Sequence, residues 1–359
     1  VTKALAQPRT IKVLPRGNWL DDSGPVVGPA IPSFLGALAS AGRPGRLELS
    51  QGLVGRGGVG GLTARVFVNR VWAMLFATGL CPSPEDFGGQ GKPPNHLALL
   101  DRLALDFVDS GWDIKALVGR IVLSRAYRQS SMASAEVVER DPLNELYARQ
   151  SRQRLPAEMI RDAALLVSGL LVDRVGGASA KPAQPAGYYR HLNFPTRRYR
   201  PDQGQARWRR GVYMHWQRQF LHPTLRAFDA PTREECTAQR PISNTPLAAL
   251  TLLNDPVFVE AARAFAQRAL QVEVAPDRDR IRWAMREATA RTPRPAEVDV
   301  LARVLAAARR HFRDDPRAAA ALLAVGDAAR DTSLAAPEHA AWTQVMRVIL
   351  NLHEMICRD

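Results

Sequence analysis

From Leu62 onward, apolar residues recur at intervals of three and four along much of the chain. Phe67, Val71, Met74 and Leu75 make one stripe, and Leu100, Leu103, Ala104, Phe107 and Val108 a second. Ile114, Leu117, Val118, Ile121 and Val122 make a third. This spacing puts each set on one face of an α-helix. Gly111 stops the second helix and Asp113 caps the third. Ile160, Ala163, Ala164, Val167 and Leu171 continue the array. Further on, Pro246 follows Asn244 and Thr245, and Pro256 follows Asp255. A capping side chain followed by proline in the first turn predicts a helix start at each place. Phe258, Ala261, Ala262 and Phe265 then form an inner stripe. Three more helices are predicted at about 279–290, 295–312 and 338–356. The last one buries Trp342, Val345, Met346, Ile349 and Leu350, with His353 on the same face as a partly buried structural histidine.

The rhythm breaks in two regions. The first 61 residues begin with a short strand pattern, "RTIKVLPRGNW", and continue as a segment rich in proline and glycine. They end in "GLVGRGGVGG", which reads as a linker. A phosphate-cradling loop would end in Gly-Lys-Ser/Thr before a helix, and this one ends in Gly-Gly-Leu-Thr. The second break is an irregular insert at about 172–243, where "RGVYMHW" is the best strand pattern. The expected fold is therefore mainly α. It is a helical array with long irregular loops and a small β element joining the N-terminal strand to 211–216. Residues 1–61 form an N-terminal strand, extended segment and Gly-rich linker, and 62–359 the α-rich body.

Composition changes this picture little. Apolar residues make up 46% of the 359, enough for a substantial core. No apolar run approaches the roughly 18 residues of a transmembrane helix. The chain begins at Val1 without a signal peptide, which reads as a piece of a longer protein. Net charge is +14. With only five Lys among 49 basic residues, that charge fits the Arg and Ala bias of a GC-rich genome. It equally fits attraction to a polyanion.

The window Tyr188 to His222 concentrates the candidate chemistry. It holds eight Arg, eight aromatic residues, three His and a single acid, Asp202. Arg190, His191, Arg197, Arg198, Arg200, Trp208, His215, Trp216 and Arg218 form a candidate binding surface. Guanidinium groups grip phosphate or sulfate, and aromatic faces stack on bases or sugars. The plainer reading puts the aromatics in a core and pairs the arginines with acids such as Asp229, Glu234 and Glu235. A second group, Asp229, Arg233, Glu234, Asn244, Asn254 and Asp255, sits among prolines at proposed helix starts. It reads either as a substrate site or as a polar joint that caps helix ends. "DAPTREE" has capping-box spacing, Thr232 to Glu235, and predicts a further short helix. An ion pair between Asp229 and Arg233 is expected if they are paired inside the joint.

Other motifs carry less. Cys81, Cys236 and Cys357 permit at most one disulfide, and no CxxC for a zinc ribbon or covalent haem occurs. His215, His222 and Cys236 have no compact metal-ligand spacing. "EDFGG" lacks the other parts of a kinase. Neither a metal nor a cofactor is expected in this chain.

Longer stretches are more specific. "LTARVFVNRVWAMLFATGLCPSPEDFGGQGKPPNHLALLDRLALDFVDSGWDIKALVGRIVLSRAYRQSS" resembles the planctomycete cytochrome-c-associated domain of unknown function 1553. "RLPAEMIRDAALLVSGLL", "FDAPTREECTAQRPISNTPLAALTLLNDPVFVEAARAFAQRAL" and "WTQVMRVILNLHEMI" resemble it in the same order. The resemblance implies an extracytoplasmic location, periplasmic or at the cell surface. It also implies partner domains upstream in the same polypeptide, among them a module that can carry haem c. It implies no activity and no catalytic residue. Three functions follow in order: an interaction or scaffold module docking a redox or other partner; an enzyme or binding domain for an acidic or sulfated polysaccharide; and nucleic-acid binding.

Overall fold

The structure, a computed structural model, describes residues 5, 7–56, 59–192, 195–272 and 276–358. Helices dominate, and the described strands form two small two-stranded sheets. The chain divides into two compact units, Val1–Ser151 and Arg152–Asp359.

In the first unit, β1 (Ile11–Lys12) pairs antiparallel with β2 (Val26–Val27). The expected sheet between the N-terminal strand and 211–216 is therefore not formed. The N-terminal strand closes locally, across a turn-rich stretch. Helices cover both ends of the Gly-rich linker. The first helix, α1 (Arg46–Val54), covers its start, and α2 (Gly60–Phe76) begins at its end, while Gly57 and Gly58 lie outside the described residues. Next come α3 (Leu97–Asp109), α4 (Ile114–Val122) and α5 (Ala135–Arg140).

Val68, Phe76, Leu80, Leu100 and Ile121 form a dry centre between α2, α3 and α4. Asp113 caps α4 by accepting from the Ala116 N–H at 3.0 Å. Of the expected α2 stripe, Val71 is buried and Phe67 and Leu75 pack against this centre, but Met74 does not. Ala64, Val68 and Trp72 are buried, and Met74 is 64% exposed. Asn69 is buried and exchanges two hydrogen bonds with the Cys81 backbone, at 2.8 and 3.0 Å. It leaves no room for a side chain at Gly79, whose Cβ would meet Asn69 at 2.6 Å.

The second unit starts with β3 (Gln153–Arg154) and α6 (Ala157–Ser168). The irregular insert follows and contains short 3-10 turns. Then come α7 (Pro223–Ala227), α8 (Pro246–Asn254), α9 (Pro256–Gln271) and α10 (Asp277–Thr289). The chain continues with α11 (Pro295–Asp314), α12 (Pro316–Leu323), α13 (Ala336–Leu350), α14 (His353–Ile356) and β4 (Cys357–Arg358). The expected helix over 338–356 is broken after Leu350, which leaves α14 as a separate turn. β4 pairs antiparallel with β3, so the two ends of the unit are hydrogen-bonded together.

The core sits where α13 packs against both α9 and α11, with α6 on α9. Phe258, Ala261, Ala262 and Phe265 of α9 face Trp342, Val345, Met346 and Ile349 of α13, all at most 1% exposed. Small alanines on α9 let these helices approach closely, and the large α13 side chains fill the space. Two cap signals act as read. Asp255 accepts from the Val257 N–H at 2.9 Å, and Thr245 from the Ala248 N–H at 3.4 Å, each just before a proline at the helix start. Among the described residues no helix is long and apolar enough to cross a membrane.

Candidate functional site

The irregular insert is held from below by buried charge. Arg161 on α6 is 1% exposed and lies beneath the insert. Its guanidinium donates to the carbonyls of Arg209, at 2.7 Å, and Arg207. Burial pushes its pKa down to about 10, so it remains charged at neutral pH. Arg209, 2% exposed, donates in turn to the carbonyls of Arg174, Gly176 and Ala178 and lies 4.1 Å over the Tyr213 ring. Two arginines therefore organise a loop by satisfying carbonyls that no regular element would satisfy.

A second buried charge lies on α9. Glu260 is 1% exposed and accepts from Trp208 Nε1 at 3.1 Å and from the backbone N–H of Ala328 at 2.7 Å and of Asp327. Arg207 pairs with Asp327 beside it. Arg263, one turn along α9, donates to the Ala328 carbonyl at 2.6 Å, and its own carbonyl lies 3.0 Å from His339 Nε2. The loop at 326–328 must come very close to receive Glu260. A Cβ on Gly326 would lie 2.3 Å from the Glu260 carboxyl carbon, and its φ is +87°. Arg161, Glu260, Arg263, Asp327 and His339 were not expected as functional positions. For Arg161, Glu260 and Arg263 the sequence signal was a charged residue inside an apolar helical stripe; Asp327, in a loop, gave none.

This scaffold sorts the candidate surface residues. Trp208 is bound to Glu260, and Trp216 donates Nε1 to the carbonyls of Pro231 and Thr232 at 3.1 and 3.3 Å. Tyr188, Tyr189, Tyr199 and Phe220 pack on one another, with ring centroids 5.4 to 6.0 Å apart. His215 is half-buried, 6.5 Å from the Tyr199 ring. Burial, helped by Lys181 and Arg197, lowers the His215 pKa, and burial raises that of the Tyr199 hydroxyl. Asn193 and Phe194, inside the same window, lie outside the described residues.

The arginines of the window divide in two. Arg207, Arg209 and Arg210 are engaged as above or, for Arg210, with Asp173 at 3.5 Å. Arg190, His191, Arg197, Arg198, Arg200 and Arg218 are exposed. Arg190 donates to His191 at 2.9 Å and Arg197 to Gln217 at 3.4 Å. Arg198, Arg200 and Arg218 have no ion-pair partner among the described residues. The expected pairing of the window with Asp229, Glu234 and Glu235 is not seen among the described residues, and the strand expected at 211–216 is a 3-10 turn, Gly211–Tyr213, followed by a single β-bridge from Met214 to Ala180. The cause is a close approach to α6. Gly211 N–H donates to Asp162 at 2.6 Å, and a Cβ at Gly211 would lie 2.7 Å from the Glu158 carbonyl oxygen.

The polar joint is organised round different partners from those expected. Asp229 accepts from the Ser243 N–H at 2.9 Å, from the Ser243 hydroxyl at 2.8 Å and from Arg154, an ion pair that is almost buried. Burial opposes the ionised form, but the Ser243 and Arg154 bonds together hold the Asp229 pKa below the usual carboxylate range. Arg233 does not pair with Asp229. Its guanidinium stacks 3.7 Å over the Trp216 ring. The short helix expected from Thr232–Glu235 is absent, because Arg233 has a φ of 65° and breaks any helical turn there. Glu234 and Asn244 are exposed, and Asn254 donates to the Leu250 carbonyl at 3.0 Å.

Asp255 also receives the Thr224 hydroxyl at 2.5 Å, which ties α7 to the start of α9. His222 caps α7 through Nδ1 and contacts the Ala183 carbonyl through Nε2 at 2.9 Å. Burial of the ring lowers its pKa, against the opposing pull of Asp255 and the Ala183 carbonyl. Asp255, Asn254, Thr224, Gln184, Leu247 and Leu250 line an open cleft of about 390 Å³. Among the described residues no group of three or more His, Cys, Asp and Glu is placed to hold a metal ion. His353, expected as partly buried, is exposed, and its Nε2 lies 3.1 Å from Cys357 Sγ.

The chain is thus a mainly α-helical protein whose second unit presents an arginine-lined irregular segment over a buried polar scaffold. It belongs to the PSD1 family, described as proteins of unknown function (DUF1553), whose model matches residues 45–305. No curated protein and no solved structure matches the chain.

Proposed function

We propose that this chain is an interaction or scaffold module of a larger extracytoplasmic protein and docks an anionic partner through its 190–218 face. One observation carries the reading: Arg198, Arg200 and Arg218 are exposed without an ion-pair partner among the described residues, beside Arg190, His191 and Arg197. Some surface arginines elsewhere in this unit, such as Arg240, Arg278 and Arg294, have a carboxylate partner. Others, such as Arg226, Arg303 and Arg310, have none among the described residues. What distinguishes the 190–218 segment is that six exposed basic or imidazole side chains fall within one short irregular stretch.

The aromatic residues favour charge over stacking. Among the described residues Tyr189 and Trp216 are engaged inside the segment, which leaves them poorly placed as a stacking platform for bases or sugars. An acidic protein surface fits this face better than a polysaccharide or a nucleic acid. The proposed occupant is an acidic surface of an upstream domain of the same polypeptide or of a redox partner. Haem c would then reside in that partner.

Affinity for heparin, polyglutamate and single-stranded DNA, measured against salt, tests the reading. All three should bind at low salt, with log affinity falling linearly as log salt rises. Replacing Arg197, Arg198 and Arg200 together by Ala should reduce the slope by about 2–3 for each polymer alike. An unchanged slope would remove this face from the binding surface. A much stronger preference for DNA than for polyglutamate would favour the nucleic-acid alternative.

A further inference from the structure

We propose that Cys357 and His353 form a nucleophile–base pair that undergoes thiol–disulfide exchange with a disulfide brought to it. The three cysteines stand in three different settings. Cys81 is 1% exposed, and its thiol points at the Lys92 carbonyl, 3.4 Å away, out of reach of a disulfide in solvent. Cys236 is exposed in the loop between α7 and α8 with no polar partner among the described residues. Cys357 is half-buried, with an imidazole nitrogen 3.1 Å from its sulfur. A thiol reacts as the thiolate, and an adjacent imidazole is the side chain that takes its proton near neutral pH.

The pair is held in place by its surroundings. His353 and Cys357 lie one turn apart, on α14 and at the start of β4. Arg291 grips Glu354 through two bonds of 2.9 Å, and the same guanidinium holds Glu297. Met355 is buried, and the Leu155 N–H donates to the Ile356 carbonyl at 2.7 Å. Across the sheet, Cys357 is in register with Arg154, whose charge is engaged by Asp229, and Arg358 follows it. Backbone and carboxylate anchors thus fix the turn. The His353 ring remains exposed, so a disulfide can approach from solvent.

The exchange balances without a further reactant. His353 Nε2 takes the Cys357 proton. The sulfur then attacks one sulfur of the incoming disulfide, and a new S–S bond forms as the old one breaks. The departing thiolate takes the proton back from His353. Cys357 is oxidised to a mixed disulfide, and the other half of the disulfide is reduced to a thiol.

Glutathione disulfide is a suitable probe, with each cysteine followed by mass spectrometry of the whole chain at pH 7. Cys357 should acquire glutathione at least about tenfold faster than Cys236, and Cys81 last. His353→Gln should bring the Cys357 rate down to that of Cys236 while leaving the Cys236 rate, read in the same molecule, unchanged. The proposal is overturned if Cys236 or Cys81 is labelled ahead of Cys357. It is equally overturned if His353→Gln leaves the Cys357 rate as it was.

Discussion

At Asp229 one carboxylate accepts from the Ser243 backbone, the Ser243 hydroxyl and the Arg154 guanidinium. Removing either charge strands the other in a nearly buried place. Asp229→Ala and Arg154→Ala should each cost about 2–4 kcal/mol in urea denaturation. The double variant should cost clearly less than the sum. Arg233→Ala loses only its stacking on Trp216, which is worth about 0.5–2 kcal/mol. A substrate site would show the reverse, with all these variants as stable as the parent or more so. Gly326 makes a second test at this scale. Its positive φ and the Glu260 carboxyl carbon 2.3 Å from a built Cβ leave no room for alanine. Gly326→Ala should destabilise by more than about 1 kcal/mol. If the melt is unchanged, the Glu260 cradle is not as tight as described.

At the scale of elements, the joints between helices depend on a few polar groups. Asp255 caps α9 and also receives the Thr224 hydroxyl from α7. Asp255→Ala should therefore cost about 1–2 kcal/mol or slightly more, since a cap and a cross-helix bond go together. Asn244 was an equal candidate for the neighbouring cap, but Thr245 accepts the bond and Asn244 is exposed. Asn244→Ala should stay within about 0.5 kcal/mol of the parent. Thermal melts of the two variants side by side separate a cap from a bystander. Thr245→Ala should behave like a cap loss.

For the whole molecule, pH is the most telling variable. His339, His222 and His215 each have an imidazole whose pKa burial pushes below the ordinary value. The unfolded chain, with free imidazoles near 6.5, then binds more protons than the folded one in mild acid. Their contribution to stability is complete above about pH 6.5 and is lost as pH falls through the lower folded values. The melting temperature should therefore fall on going from pH 7 to 5, before most carboxylates titrate. His339→Gln should flatten part of that fall, because His339 is fully buried. An identical pH profile in the variant would assign the acid sensitivity to other groups. The +14 net charge adds self-repulsion that grows as pH falls, so the comparison belongs at constant ionic strength.

Helical periodicity alone determined the array and the inner faces of α3, α9 and α13, because burial of an amphipathic stripe is a local property of spacing. The starts of α8 and α9 were legible for the same reason: a cap and a proline act within one turn. The family was legible too, from motifs that span much of the chain. Partner choice was not. Asp229 lies 75 positions from Arg154, and Trp208 lies 52 from Glu260, so only the folded path of the chain brings them together. Tertiary contact also decided which arginines stay outside. Arg207, Arg209 and Arg218 lie in the same Arg- and aromatic-rich window, yet two organise the interior and one faces solvent. The strand expected at 211–216 failed because Gly211 is pressed against α6. The Cys357–His353 pair could be suspected from an i, i+4 spacing, but the helix break after Leu350 is what turned His353 out of the core and set it beside the thiol.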